Sequence, residues 1–308
     1  MLSIMGKVQL VKSIIHGMLV YSFHIYMWPR RLLHQLDSWI KNFIWSGDIG
    51  TRKVCTVSWK IMYRSWAAGG LDIEPTRLIN ESLILQLPWL FSSGDSQWAG
   101  LLRKHFIKNG TPLQHYFQSS VWCGIKEHMG TITSNSIWIV GTGENIKLWT
   151  NNWLGNGLVE LLHISPSVHK HLISSVTDFI VDGGWNLPSE VMAAPGVAER
   201  IHSMVLPTTP LSNSLVWCDS SDGKLSSKQD FALLRPIDVV LPCAALIWKT
   251  CIPPSHSFIL WHIMHGKMPT DKNLRRRRCI IVSICNFCLC TDESSDNLFL
   301  QCSFAKDL

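Results

Sequence analysis

The feature that most constrains this chain is a cysteine-rich segment near its C-terminus. Five of the ten cysteines lie between Cys279 and Cys302. Cys285 and Cys288 have two residues between them, the spacing at which a tight turn presents two thiolates to one zinc ion, and Cys302 follows as a third sulfur donor. The segment therefore predicts a zinc-knuckle-like domain that has three of its four ligands.

The identity of the fourth ligand stays open at the sequence level. Structural zinc sites almost always have four donors, and the nearby candidates are Cys279, Cys290 and Asp296. The alternative interpretation is a degenerate site in which the cysteines are free thiols or core residues. Zinc is accordingly the one cofactor that the sequence predicts.

A run of positive charge precedes the cysteines. Six basic residues lie close together: Lys267, Lys272, Arg275, Arg276, Arg277 and Arg278. Such a run neutralises phosphates and releases counterions, which gives sequence-independent binding to RNA or DNA. Two other interpretations remain, a nuclear-import signal and a solvated helix end, because Asp271 predicts a helix that would place the arginines on its later turns. The net charge of +6 is too mild to decide between them.

Composition indicates a globular intracellular protein. The 308 residues are 46% hydrophobic and only 16% charged, enough for two or three domains with ordinary cores. The clustered thiols and the absence of a secretory signal predict a reduced compartment, the nucleus or the cytoplasm. No apolar run reaches the roughly 18 residues of a membrane span, so a membrane partner is not expected.

Hydrophobic periodicity predicts a mainly helical α+β fold with small β hairpins. Helices are expected at residues 3–18, 29–45, 76–91, 97–107, 197–204, 228–234, 243–250 and 255–265. Hairpins are expected where residues 136–140 meet 146–149 and where 215–217 meet 224–226. The predicted regions are a helical segment (1–129), a β-hairpin and linker segment (130–214) and a helical zinc-knuckle-like domain (215–308).

Several aromatic residues have both a functional and a structural interpretation. His262 and His265 are spaced to place two ligands on one helix face, but no glutamate accompanies them as in a metallopeptidase helix. Trp138, Trp149 and Trp153 are able to stack on bases in the manner of single-strand binders. Packing in the core is the interpretation that we favour for all five.

The order of several short motifs identifies a family resemblance. The C-terminal part contains His256, Trp261, the arginine run, Cys285, Cys288, the Leu-Phe pair at 298–299 and Cys302. The earlier motifs lie at residues 6–13, 43–47, 69–73, 141–143 and 149–155. Together they resemble the region that follows the polymerase palm in plant non-LTR (LINE-type) reverse transcriptases, ending in the reverse-transcriptase zinc-binding domain. Asn297 stands where that family has a histidine, and its neutral amide oxygen is a poor substitute for imidazole.

The resemblance implies a parent enzyme that carries out RNA-directed DNA synthesis. Such a polymerase needs paired aspartates that hold two divalent metals about 4 Å apart, and this sequence has no adjacent Asp-Asp pair. We therefore expect no catalytic residues, and a non-catalytic fragment that begins after the palm, is truncated within the zinc-binding domain and contacts RNA, DNA or the parent polymerase domains. The alternatives are a structural or protein-interaction module and a pseudogene product.

Overall fold

The computed structural model describes residues 2–53, 55–94, 96–108, 111–113, 119–249 and 251–307. Helices dominate, and in these residues the strands form three two-stranded antiparallel sheets. The predicted mainly helical α+β fold is confirmed. No helix in these ranges is long and apolar enough to cross a bilayer.

The helices are numbered in chain order. The α-helices are α1 Ile4–Leu10, α2 His16–Phe23, α3 Arg30–Ser46, α4 Trp59–Met62, α5 Thr76–Ile84, α6 Gln86–Ser93, α7 Gln97–Phe106, α8 Ser120–Asn135, α9 Leu158–Leu161, α10 Ser189–Met192, α11 Pro195–His202, α12 Ser227–Leu234, α13 Pro242–Ile247, α14 Pro254–Met264, α15 Asp271–Arg276 and α16 Ser303–Lys306. A π-helical segment, Val11–Ile15, joins α1 to α2, and a second one, Asn297–Gln301, precedes α16.

Most predicted helices are confirmed with small shifts of their ends. The first is longer than predicted, because the π-helical turn carries it on to Phe23. The predicted helix at 76–91 is divided into α5 and α6 at Leu85. Thr250, the predicted end of α13, lies outside the described residues.

Helix α8 was missed by the sequence analysis. It contains Gly124 and Gly130, which lower its intrinsic propensity by about 1 kcal/mol each relative to alanine. Trp122, Ile125 and Ile132 are spaced to lie on one helix face and are all buried. Tertiary packing therefore outweighs local propensity in this helix.

The strands are β1 Ile107–Lys108, β2 Thr111–Pro112, β3 Ser136–Ile139, β4 Ile180–Val181, β5 Gly184–Trp185 and β6 Ser214–Trp217. Strand β3 pairs with β6, with Ser136 opposite Trp217. The predicted hairpin between 136–140 and 146–149 is therefore wrong. The buried Ile146 and Leu148 instead bond to residues 174–176, where Val176 N donates to Ile146 O at 2.8 Å.

The second predicted hairpin is only partly formed. Its turn is present, since Trp217 N donates to Gly223 O at 2.9 Å. Residues 224–226 form no strand, and β6 has β3 as its ladder partner. The sequence analysis therefore identified the β6 strand and its turn but not the strand that pairs with it.

The chain divides into two compact units, and each consists of separate stretches of sequence. Unit 1 contains residues 1–19, 29–78 and 236–308, and unit 2 contains residues 20–28 and 79–235. The division into three consecutive regions at 129 and 214 stays a prediction.

The core of unit 1 joins the two ends of the sequence. Trp261 of α14 is fully buried with Ile44 and Met62, and its indole N–H donates to Gly69 O at 2.7 Å. His262 is buried beside it, with Nε2 2.8 Å from the hydroxyl of Thr56. This agrees with the packing role expected for the histidine.

Unit 2 has its own buried clusters. Trp149 and Trp153 lie in a core with Ile146, Leu158 and Val176, and Trp138 packs against it. The indole N–H of Trp153 donates to Leu148 O at 2.8 Å. The core interpretation is confirmed for Trp149 and Trp153, because buried and internally bonded indoles present no face for a base to stack on, whereas Trp138 is half-buried.

Candidate metal centre and basic surface

The cysteine segment is held by hydrogen bonds between two extended stretches of chain. Glu293 N donates to the hydroxyl of Ser283 at 2.9 Å, and Cys285 N donates to Thr291 O at 2.7 Å. The turn is closed by Leu289 N, which donates to Cys285 O at 2.9 Å. We call residues 281–293 the knuckle ribbon, because they carry two cysteines at a tight turn.

Three of the predicted ligands converge. The Sγ atoms of Cys285, Cys288 and Cys302 all lie within 4.8 Å of one another, and those of Cys285 and Cys302 are 4.0 Å apart. Two sulfurs bound to one ion at about 2.3 Å are expected roughly 3.8 to 4.0 Å apart. The cluster, which we call the cysteine triad, is therefore compatible with zinc.

Cys302 lies between the second π-helical segment and α16, outside the knuckle ribbon. The π-helical segment ends at Gln301, and Cys302 N donates to Asn297 O at 2.9 Å. Helix α16 follows immediately, and its Phe304 ring stacks on Phe287 of the knuckle ribbon with ring centroids 5.1 Å apart. This aromatic contact fixes the third sulfur relative to the first two, and the sequence analysis did not identify it.

Hydrogen bonds tune the thiols unequally. The backbone N–H of Cys290, followed by the hydroxyl of Thr291, lowers the pKa of Cys288 to about 6. The backbone N–H of Ala305 lowers the pKa of Cys302, but burial and the neighbouring thiols together raise it. The pKa of the Cys288 thiol is therefore lower than that of the Cys302 thiol.

The other candidate ligands do not join the triad. Cys279 and Cys290 are exposed, and the Cys290 thiol donates to Cys288 O at 2.9 Å. Among the residues that the structure describes, no Asp, Glu, His or further Cys completes the group, which leaves out Asp296. Asn297 is 5% exposed, and its buried Nδ2 has no hydrogen-bond partner in the same residues. The residues present therefore supply three sulfur donors for zinc.

The basic residues are attached to the same part of unit 1. Helix α15 begins at Asp271, as predicted, and Lys272 N donates to Glu293 O at 3.2 Å. Arg275 donates through Nε to Ile281 O at 2.9 Å and forms an ion pair with Asp292 at 3.3 Å. The helix is thereby bound to the knuckle ribbon.

The four arginines have different environments, which the sequence did not indicate. Arg277 donates to Thr56 O at 2.9 Å, so Arg275 and Arg277 are both used in structural contacts. The side chains of Arg276 and Arg278 are exposed and make no hydrogen bond or ion pair within the described residues. Lys272 is also exposed, whereas Lys267 is half-buried.

Comparison with known proteins identifies the region that contains these features. Residues 225–308 match the family model described as zinc-binding in reverse transcriptase. This part of the chain is therefore similar to a reverse-transcriptase zinc-binding domain. The predicted resemblance is confirmed, and the matched residues include the triad, α15 and the knuckle ribbon.

The rest of the chain is covered by a plant relative. A protein of Arabidopsis thaliana named "Putative ribonuclease H protein" is 24% identical over 315 residues, which include 98% of this chain. The chain spans about half, 51%, of that relative's length. No solved structure matches.

Proposed function

We propose that this chain is an accessory, non-catalytic part of a retroelement RNA-directed DNA polymerase, and that it contacts RNA or DNA through a basic surface beside the triad. We define this surface by Lys272, Arg276 and Arg278. The observation that carries the proposal is the attachment of α15 to the knuckle ribbon within the reverse-transcriptase zinc-binding domain.

The charge of the basic surface suits a phosphate backbone. The guanidinium groups of Arg276 and Arg278 are exposed and have no acidic partner among the described residues. A planar guanidinium binds phosphate oxygens in a bidentate manner. When it neutralises a phosphate, it displaces a counterion from the nucleic acid, which favours binding at low salt. The zinc would contribute by fixing the ribbon to which α15 is bound, since a structural metal ion stabilises the fold that its ligands belong to.

Two observations support a non-catalytic role. The sequence has no adjacent Asp-Asp pair for two-metal nucleotide transfer. A ribonuclease H activity, which the name of the Arabidopsis relative suggests, would also need clustered carboxylates. Within the described ranges, the triad is the one group of three or more potential ligands that are close enough to hold a metal ion.

A role in protein contact is the second candidate, and one observation favours it. Ile280 and Val282 are more than nine-tenths exposed next to the basic surface, and Leu289 is 65% exposed. Apolar side chains clustered on a surface are typical of contacts with other proteins. The parent polymerase domains are the partner that this interpretation names.

Binding measured against salt tests the proposal. We expect the chain to bind a fluorescent single-stranded RNA, with an affinity that falls steeply between low and physiological salt. The double variant Arg276→Ala, Arg278→Ala removes two phosphate contacts, so the slope of log K against log salt should decrease by about 1.4. Fluorescence anisotropy over a salt series gives both values.

A charge-matched variant is the control for that experiment. Arg30→Ala, Arg31→Ala removes the same two charges from exposed positions at the start of α3, and we expect the slope to stay unchanged. Equal slopes for all three proteins, or no RNA binding at low salt, would contradict the proposed surface and favour the protein-contact role. Templated primer extension by the purified chain would contradict the non-catalytic role.

A further inference from the structure

The triad lacks a strong fourth ligand among the described residues, and this affects which ion it prefers. Its sulfurs converge on one point, Cys285 and Cys302 are buried, and Asn297 stands at the position where the family has histidine. We propose that the triad is a three-coordinate centre that binds trivalent thiophilic ions, represented by arsenic(III), in preference to zinc. This inference rests on the metal centre of the proposed function and names its ion.

Zinc fits the site incompletely. Zinc needs four donors in a structural site, and the amide of Asn297 is a weak replacement for imidazole beside three thiolates. A zinc ion with three thiolates also carries one net negative charge. Because Cys285 and Cys302 are 0% and 1% exposed, part of that charge would be buried, which is unfavourable without a partner.

Arsenic(III) avoids both difficulties. It forms three bonds to sulfur and keeps a lone pair in place of a fourth ligand, so the Asn297 substitution does not weaken it. Three thiolates balance its charge of three, and the product is neutral in a mostly buried site. The Sγ atoms of Cys285 and Cys302 are 4.0 Å apart, so the two side chains must draw closer together to bond one pyramidal arsenic.

The reaction balances without an oxidant or a reductant. Arsenious acid, As(OH)₃, reacts with the three thiols of Cys285, Cys288 and Cys302. Three As–O and three S–H bonds break, three As–S bonds form, and each hydroxyl leaves as water with a thiol proton. The oxidation state of arsenic does not change. Cys288 is half-buried, whereas Cys285 and Cys302 are buried, so the Cys288 thiol is the first nucleophile that arsenite reaches.

Arsenite bound by an isolated cysteine differs from arsenite bound by the triad in the number of As–S bonds. Cys218, Cys243 and Cys251 are exposed, and none of them belongs to a group of three potential ligands in the described part of the chain. A single thiol forms only one As–S bond. Attachment of arsenic with the loss of three hydroxyl groups therefore distinguishes the triad from isolated cysteines.

The test compares arsenite and zinc on the full chain. Native mass spectrometry measures the number of arsenic atoms and of hydroxyl groups lost, and a chromophoric chelator measures zinc affinity. We expect one arsenic per chain bound through three sulfurs. Asn297→His should raise zinc affinity at least about tenfold by restoring a fourth ligand, and should change arsenite affinity less than about threefold.

Two cysteine variants locate the site. Cys302→Ser should reduce arsenite affinity at least about a hundredfold, since one of three bonds is lost, whereas Cys218→Ser should have no effect. If Cys302→Ser does not fold, as judged by circular dichroism, Cys288→Ser at the half-buried position takes its place.

Three results would overturn the inference: equal zinc affinity in the unchanged chain and in Asn297→His, no retention of arsenite, or retention that survives loss of a triad cysteine. The salt-dependent RNA experiment is carried out without arsenite and depends on Arg276 and Arg278. A failure of ion selectivity is therefore distinguishable from a failure of the proposed nucleic-acid contact.

Discussion

At the scale of single residues, Leu289 occupies a backbone conformation that suits glycine. Its φ is +54°, in the left-handed region that is unfavourable for a residue with a Cβ by about 1 to 2 kcal/mol. The side chain is 65% exposed, so little burial is lost when it is removed. We predict that Leu289→Gly stabilises the chain by about 1 kcal/mol, measured by urea denaturation.

The control for this prediction is the same change at a similarly exposed residue. Leu300 is 68% exposed in the π-helical segment, and its φ does not lie in the left-handed region. Leu300→Gly should therefore destabilise the chain by about 1 kcal/mol, because glycine is unfavourable in a helix. Destabilisation by both changes would contradict the strained conformation of Leu289.

Asp230 is a second residue whose environment predicts a measurable effect. Its carboxyl group is buried, and burial raises its pKa to about 6, although the amide of Gln86 donates to it. Between about pH 4 and pH 6 the folded chain binds more protons at Asp230 than the unfolded chain does, so this group makes stability fall as pH rises.

We predict that Asp230→Asn removes this pH dependence and stabilises the chain at pH 7 by about 1 to 2 kcal/mol, because no charge is then buried. Denaturation at pH 4, 5, 6 and 7 measures the effect. Asp222→Asn is the control, since the hydroxyl of Ser220 lowers the pKa of the exposed Asp222, and its loss should act in the opposite direction. A gain that does not depend on pH would contradict the role of the buried charge.

At the scale of elements, the pairing of β3 with β6 depends on a close backbone approach at Gly141. A Cβ at this position would lie 2.1 Å from Leu211 O, which is backbone and has little freedom to move. We predict that Gly141→Ala destabilises the chain by more than about 2 kcal/mol, measured by thermal and urea denaturation.

Gly100 in α7 is the matched control. Nothing lies within 4 Å of a Cβ at that position, so Gly100→Ala should stabilise the chain by up to about 1 kcal/mol through helix propensity. Equal tolerance of Gly141→Ala and Gly100→Ala would contradict the close backbone approach of Gly141 to Leu211.

At the scale of the whole molecule, unit 1 is built from both ends of the sequence. Trp261, in the region that matches the reverse-transcriptase zinc-binding family, contributes to the same core as Ile44 and Met62. We predict that Trp261→Ala destabilises unit 1 by about 3 to 5 kcal/mol and increases hydrogen exchange at residues 40–73, which lie roughly two hundred positions earlier in the sequence. Mass spectrometry of peptic fragments measures this exchange.

Trp217 provides the comparison, because it is equally buried but belongs to unit 2. Trp217→Ala should increase exchange in β3 and β6 rather than at residues 40–73. If Trp261→Ala increases exchange only within residues 236–308, the C-terminal domain folds without the N-terminal helices, and the discontinuous unit is not cooperative.

The sequence by itself determined the features that depend on neighbouring residues. The helical period identified most helices, the Cys285-x-x-Cys288 spacing with Cys302 identified the three sulfurs that converge, and the order of motifs identified the similarity to the reverse-transcriptase zinc-binding family. These signals are local, since a helix face or a tight turn is specified by residues a few positions apart.

Only the tertiary structure decided the features that depend on distant residues. It gave β3 its partner in β6, joined the two ends of the chain in one core, and separated the structural Arg275 and Arg277 from the exposed Arg276 and Arg278. Four consecutive arginines are identical in sequence, and they differ only because Ile281, Asp292 and Thr56 lie where the folded chain places them. The physical reason is that burial and pairing between remote segments are properties of the packed chain, which no short pattern encodes.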